Sequence, residues 1–119
     1  EIYQLGFSMN KMKNVKIAVF VPLTHADKER EAIGKAGGGV IGNYDSCSFS
    51  SKGVGRFKPN EKANPHIGNV HKLEAVEEER IEFVCPKTKA KSVIAAIKKV
   101  HPYEEVALDI YPLLEEEEL

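Results

Sequence analysis

The chain has 119 residues, enough for one domain with a single packed core, and 42% hydrophobic with 29% charged residues excludes a disordered or collagen-like polymer. Seventeen basic against eighteen acidic side chains leave a formal charge of −1, so no global field draws the chain to nucleic acid or to an acidic membrane. The two cysteines form no metal-ribbon or disulfide framework, which points to a reducing cytoplasm.

Residues 1–14 lack the apolar stretch of a secretory signal and read as an N-terminal extension or an expression remnant. The folded domain is expected over 15–114, followed by an acidic tail at 115–119, whose like charges predict a solvated, mobile end. The longest apolar run, "IAVFVPL", is far too short to span a membrane.

"VKIAVFVP", Val15 to Pro22, is nearly continuous in apolar residues and predicts a strand covered on both faces. A helix should follow in "THADKEREAIGKAGGG", with Thr24 as its cap, Asp27 at its positive end and its stop near Gly37. Residues 40–72 are rich in Gly, Ser, Asn and Pro; a strand and hairpin are expected around "SCSFSSKGVGRF", with a long loop after them. In "LEAVEEERIEFVCP" the two-residue period sets Ile81, Phe83 and Cys85 on one face of a strand, with Arg80, Glu82 and Val84 on the other. "KTKAKSVIAAIKKV" repeats Ala90, Val93, Ile94, Ile97 and Val100 at helical spacing, and Pro102 forbids its continuation. "YEEVALDIY" is the expected last strand. This order predicts an α+β, ferredoxin-like βαββαβ sandwich, an antiparallel sheet with two helices on one face. Tyr103, Ala107 and Tyr111 are too apolar to leave the other face wholly wet, so that face is expected to pack against other subunits.

Chemistry-bearing residues gather in two stretches, and none is assigned a catalytic role. In "NYDSCSF", Tyr44, Asp45 and Cys47 are candidates for a ligand site or an interface, although Cys47 has no histidine beside it in sequence and also reads as a small hydrophobe. In "HPYEE" the candidates are His101, Tyr103 and Glu105. His101 could instead fasten the end of its helix; a metal site there would need His101 and Glu105 to meet groups from elsewhere. On a strand Glu104 and Glu105 would diverge, and Glu105 would lie about 13 Å from Asp109. His66 and His71 match no common metal spacing. Lys52, Arg56 and Lys58 form a basic edge that could meet an anion or discourage edge-to-edge aggregation.

The phrases "IGNYDSCSFSSKGVGRFKP", "ANPHIGNVHKLEAVEEERIE" and "HPYEEVALDIYPL" resemble the PII- and CutA-like domain of the YqfO and Nif-three-like family, from about Val15 to Leu113. The chain departs from that pattern at His71, where glycine is expected. The resemblance implies a homotrimer with ligands or partner loops in clefts between subunits, and it does not carry over the two-metal core of the longer family members. The leading expectation is a non-enzymatic, cytoplasmic homotrimer that binds a small ligand, a metal ion or a partner protein at those clefts. The cofactor is left open, a divalent metal being one candidate, and neither nucleic acid nor membrane is expected as a partner. The alternative is an accessory subunit or homologue of a Nif-three-like metal-dependent hydrolase, of the GTP cyclohydrolase type, acting on nucleotide-like anions. A trimerising module without a ligand is a third reading.

Overall fold

The computed structural model describes residues 13–119, so the extension expected over 1–14 falls almost wholly outside the described residues. Strand β1 (Asn14–Pro22) leads through a 3-10 turn at Leu23–His25 into helix α1 (Ala26–Lys35). Strands β2 (Phe49–Phe57) and β3 (Glu74–Pro86) follow, then helix α2 (Ala90–Val100) and strand β4 (Leu108–Pro112). The sheet runs β2-β3-β1-β4 with every neighbour antiparallel, which is the ferredoxin-like α+β arrangement.

Alternation explains the core. Val15, Ile17, Val19 and Val21 of β1 join a buried cluster with Ile81 and Phe83 of β3, in cross-strand register Ile17↔Phe83 and Val19↔Ile81. Helix α2 closes this layer with Val93 and Ile97, whose spacing of four places them on one stripe. Among the described residues no helix is long and apolar enough to cross a membrane.

Helix α1 differs from its expectation at the start. Thr24 does not cap it, because the 3-10 turn places Thr24 ahead of the helix, where its Oγ1 lies 2.8 Å from His25 Nδ1. The stop is as expected: Gly37 takes φ +97°, and the N–H groups of Gly37 and Gly38 bond back to Gly34 and Ile33. On the buried side of α1, Glu29 has no exposure and neither carboxyl oxygen has a hydrogen-bond partner among the described residues. Burial pushes its pKa up to about 7. Its neighbour Arg30 turns outward and binds Asp27 and Glu79, each at 2.6 Å, and Ser50 at 3.1 Å.

Two strand expectations are corrected. "SCSFSSKGVGRF" contains no hairpin; β2 runs straight through Gly53 and Gly55 and pairs with β3 across the long loop 58–73. The last strand begins at Leu108 rather than Tyr103, and residues 101–107 form a bend. Pro102 lacks an N–H, and the bonds made by His101 and Glu104, described below, use groups that a strand would direct elsewhere. The acidic end is exposed, yet Glu116–Glu118 make a 3-10 turn with a capping box at Glu115, and Asn14 Nδ2 donates to Glu115 Oε1 at 2.8 Å.

Candidate functional site

The bend after α2 folds beneath the long loop. His101 ends the helix with its N–H bonded to Ile97 O at 3.0 Å, and its ring is nearly buried at 7% exposure. Ring Nε2 lies 2.7 Å from Phe20 O, and Nδ1 accepts the Tyr103 N–H at 3.2 Å. Since Phe20 O can only accept, Nε2 carries the proton and Nδ1 the lone pair. Burial pushes the His101 pKa down, against the opposing pull of Phe20 O and the Glu78 charge. Both nitrogens are therefore spent on the backbone of this chain, which leaves no lone pair for a metal ion.

That fastening sets Tyr103. Its hydroxyl donates to Glu78 Oε2 at 3.1 Å, while its ring packs 5.1 Å from His101, 5.9 Å from Phe57 and 6.4 Å from His66. Burial, and then the adjacent Glu78 charge, push the Tyr103 pKa up to about 12, so it is a standing donor at neutral pH. Glu78 is 8% exposed and belongs to β3. The strand register brings Gly53 opposite Glu78 and Gly55 opposite Val76; a Cβ at Gly55 would overlap the Glu78 carboxylate. Gly55 is thus explained by close approach of a side chain from the neighbouring strand, whereas a Cβ at Gly53 would meet nothing within 4 Å.

The loop lies against this corner within a single chain. Glu104 Oε1 accepts the Asn64 N–H at 2.8 Å, and the His71 N–H bonds to Pro59 O at 2.6 Å. Between loop, bend and sheet is a cavity of about 540 Å³ with Phe20, Phe57, His66, Glu78 and Tyr103 in its walls. Arg56, Lys58 and Lys62 stand at its exposed margin with Glu104 and Glu105. Of the six candidate site residues, Tyr103 and Glu105 border this cavity and His101 packs against Tyr103.

Tyr44, Asp45 and Cys47 are elsewhere. Their turn is held at the far end of β3 by Cys47 N–H to Gly39 O and Gly39 N–H to Val84 O, each at 2.8 Å. Val84 is six strand residues from Glu78, roughly 20 Å away, and none of the three borders the cavity. Tyr44 is 75% exposed, and among the described residues Cys47 Sγ has only Asp45 O, at 3.7 Å, as a hydrogen-bond partner. Cys85 is buried core, its thiol pushed up by burial. His66 faces Tyr103 and His25 rather than His71, which sits 3.5 Å from Glu61. Among the described residues, no three His, Cys, Asp or Glu side chains group to hold a metal ion.

Sequence reasoning missed Glu78, Phe20 and Phe57 as site residues. Glu78 was hidden inside the acidic run "EEERIE", and the signal that could have found it is Gly55 in the facing strand.

A protein of Halalkalibacterium halodurans named GTP cyclohydrolase 1 type 2 homolog is 54% identical over 103 residues, 87% of this chain and 28% of the relative. The crystal structure of a Bacillus cereus protein related to NIF3 superposes with a TM-score of 0.77 at 48% identity, covering 87% of this chain and 26% of that one. The chain is a PII/CutA-like domain of the YqfO and Nif-three-like family. It spans about a quarter of the length of these family members. No protein-family model matches it. The fold is shared more widely: CutA from Archaeoglobus fulgidus gives a TM-score of 0.62 at 15% identity, covering 86% of this chain and 85% of that one. The Bacillus subtilis GlnK–ATP complex gives 0.59 at 16%, covering 85% and 82%.

Proposed function

We propose that this domain is a non-enzymatic, cytoplasmic homotrimer that binds a small ligand in the cavity between the long loop and the "HPYEE" bend. The observation that carries this reading is the cavity itself, whose volume of about 540 Å³ lies in the range of small-molecule sites and whose walls combine aromatic rings with a buried carboxylate. His101 has both ring nitrogens committed to the backbone, which favours binding over proton transfer. The trimer is supported by the uncovered sheet face and its edges, where Phe49 is 68% and Tyr111 41% exposed. The cavity opens on that same face, so a neighbouring subunit would complete its outer wall. The two unpaired cysteines accord with a reducing compartment.

Native mass spectrometry of the chain purified without chelator tests both parts. A trimer carrying a stoichiometric small molecule is expected. A monomer at micromolar concentration would remove the subunit contact, and a bare protein whose melting temperature no metabolite shifts would remove the ligand.

A further inference from the structure

Taking the cavity as a ligand site, as proposed above, we infer that it binds an organic cation, an ammonium or guanidinium group held by Glu78, on a ligand whose other end is anionic. Glu78 is a buried acid without a counter-charge. It is 8% exposed and forms part of the cavity wall. Among the described residues its one hydrogen bond is the Tyr103 hydroxyl on Oε2, and no ion pair reaches it. Arg80, the basic residue on the same face of β3, is engaged elsewhere, with Nε 3.3 Å from Glu82 Oε2 and its guanidinium 5.8 Å from the centre of the Phe20 ring. The second oxygen, Oε1, lies over Gly55, which shares the cavity wall and has no side chain to cover it; a Cβ there would overlap that oxygen. A carboxylate removed from water needs an opposite charge or several hydrogen bonds. One hydroxyl fills one of about four acceptor positions, so the wall holds a negative charge still to be matched.

The surroundings narrow the class. A metal ion needs more protein ligands than one carboxylate: among the described residues no three His, Cys, Asp or Glu side chains group to hold one, and both ring nitrogens of His101 are spent. An ammonium or guanidinium brings its own donors and needs only the one acid, which a guanidinium meets with two parallel N–H bonds. The margin sets the other end. Arg56, Lys58 and Lys62 stand there with two acids, of which Glu104 already accepts the Asn64 N–H, so the margin carries surplus positive charge. Lys58 follows Phe57, whose register partner Glu74 is four strand residues, about 13 Å, from Glu78. A ligand cationic at both ends would therefore be repelled at the margin, and a simple anion would leave Glu78 unmatched. A molecule with a cation at one end and a carboxylate or phosphate at the other satisfies both.

Calorimetric titration of the full chain with L-arginine, L-citrulline and agmatine reads both ends. Citrulline has the shape of arginine with a neutral urea in place of the guanidinium, and its α-ammonium comes with a carboxylate that Glu78 repels. Agmatine keeps the guanidinium and lacks the carboxylate. Arginine is expected to bind tightest, citrulline at least tenfold more weakly and agmatine about tenfold more weakly. Glu78→Gln should abolish the preference for arginine over citrulline. Gly55→Ala keeps the acid but displaces it, and it should lose the preference as well, with a retained cooperative melt showing that the chain still folds. Equal binding of arginine and citrulline, or a preference that survives both substitutions in folded protein, would overturn the inference. Where none of the three binds, the molecule retained in native mass spectra decides. One that carries an ammonium or guanidinium and is lost in Glu78→Gln supports the cation site; one without a basic nitrogen, or one kept by that variant, sinks the cation assignment while the ligand site stands. If nothing binds at all, both fail.

Discussion

Glu29 lies on the helix-covered side of the sheet with both carboxyl oxygens unpartnered, whereas His101, at the corner, has a partner for each ring nitrogen. Both side chains are buried, yet their settings serve different ends. On the helix side, apolar area supplies the stability, and one acid is tolerated because burial lets it stay protonated up to about pH 7. At the corner hydrogen bonds set the geometry: the bonded ring of His101 holds Tyr103, and Tyr103 holds Glu78. One region makes the fold persist and the other gives the site its shape.

The largest effect expected from this contrast is in the core. Ile97 is fully buried in the layer between α2 and the sheet, and Ile97→Ala should lower the unfolding free energy by about 2–5 kcal/mol in urea titrations. Tyr103→Phe keeps the ring and removes one hydrogen bond to a carboxylate, so its expected loss is smaller, about 1.5 kcal/mol. If the two substitutions cost the same, the division between a stabilising layer and a shaping corner does not hold.

The pH dependence of stability should separate the two regions next. Glu29 has its folded pKa raised from 4.5 to about 7, so the folded state holds the proton more tightly than the unfolded chain. Its contribution is fully present below the unfolded value and is lost as pH rises through about 7, a fall of roughly 3 kcal/mol. Glu29→Gln should flatten that fall and be more stable than the parent at pH 8. Denaturant titrations between pH 5 and 8 would show it; an unchanged slope would mean that water or a rearranged side chain reaches the carboxyl.

His101 carries the opposite sign. Its folded pKa is held below the ordinary value of 6.5, chiefly by burial, so its contribution is present above the unfolded pKa and lost as pH falls through the folded one. In the Glu29→Gln background this acid-side loss should stand alone, and adding His101→Ala should remove it. The same substitution leaves Phe20 O and Tyr103 N–H without their partner, a cost of about 1–3 kcal/mol at neutral pH. It should also weaken ligand binding, because Tyr103 loses the ring that seats it.

How far these regions could be read from the sequence follows their physics. The helix-covered layer was legible because it is periodic: Ile81, Phe83 and Cys85 alternate, Val93 and Ile97 are four apart, and burial follows period. Glu29 was not, since it occupies a buried helix position with a charged residue type. The corner was half legible. His101 and Pro102 marked the helix end, but Tyr103 to Ala107 alternate in character like a strand while long-range bonds to Phe20, Asn64 and Glu78 hold them in a bend. Tyr44, Asp45 and Cys47 looked like equals of the corner residues, and only the register of β3 shows the roughly 20 Å between them. The cavity needs the loop's return against the bend, a contact across 40 residues that local pattern does not encode.

The smallest effect concerns the loop that roofs the cavity. His71 has φ +64°, in the left-handed region, and stands where the family resemblance leads one to expect glycine. Residue 71 thus takes the backbone conformation that glycine favours. Left-handed geometry costs a residue with a Cβ about 1–2 kcal/mol, while glycine adds back roughly 0.5–1 kcal/mol of unfolded-chain entropy. Its side-chain contact with Glu61 is exposed on both partners and contributes little. His71→Gly should therefore stabilise the domain by up to about 1 kcal/mol, visible as a melting temperature raised by a few degrees. Because the Pro59 bond uses the backbone N–H rather than the imidazole, ligand affinity should not change. A lower melting temperature would mean that the loop does not hold residue 71 left-handed in solution, and the roof of the cavity would then have to be drawn differently.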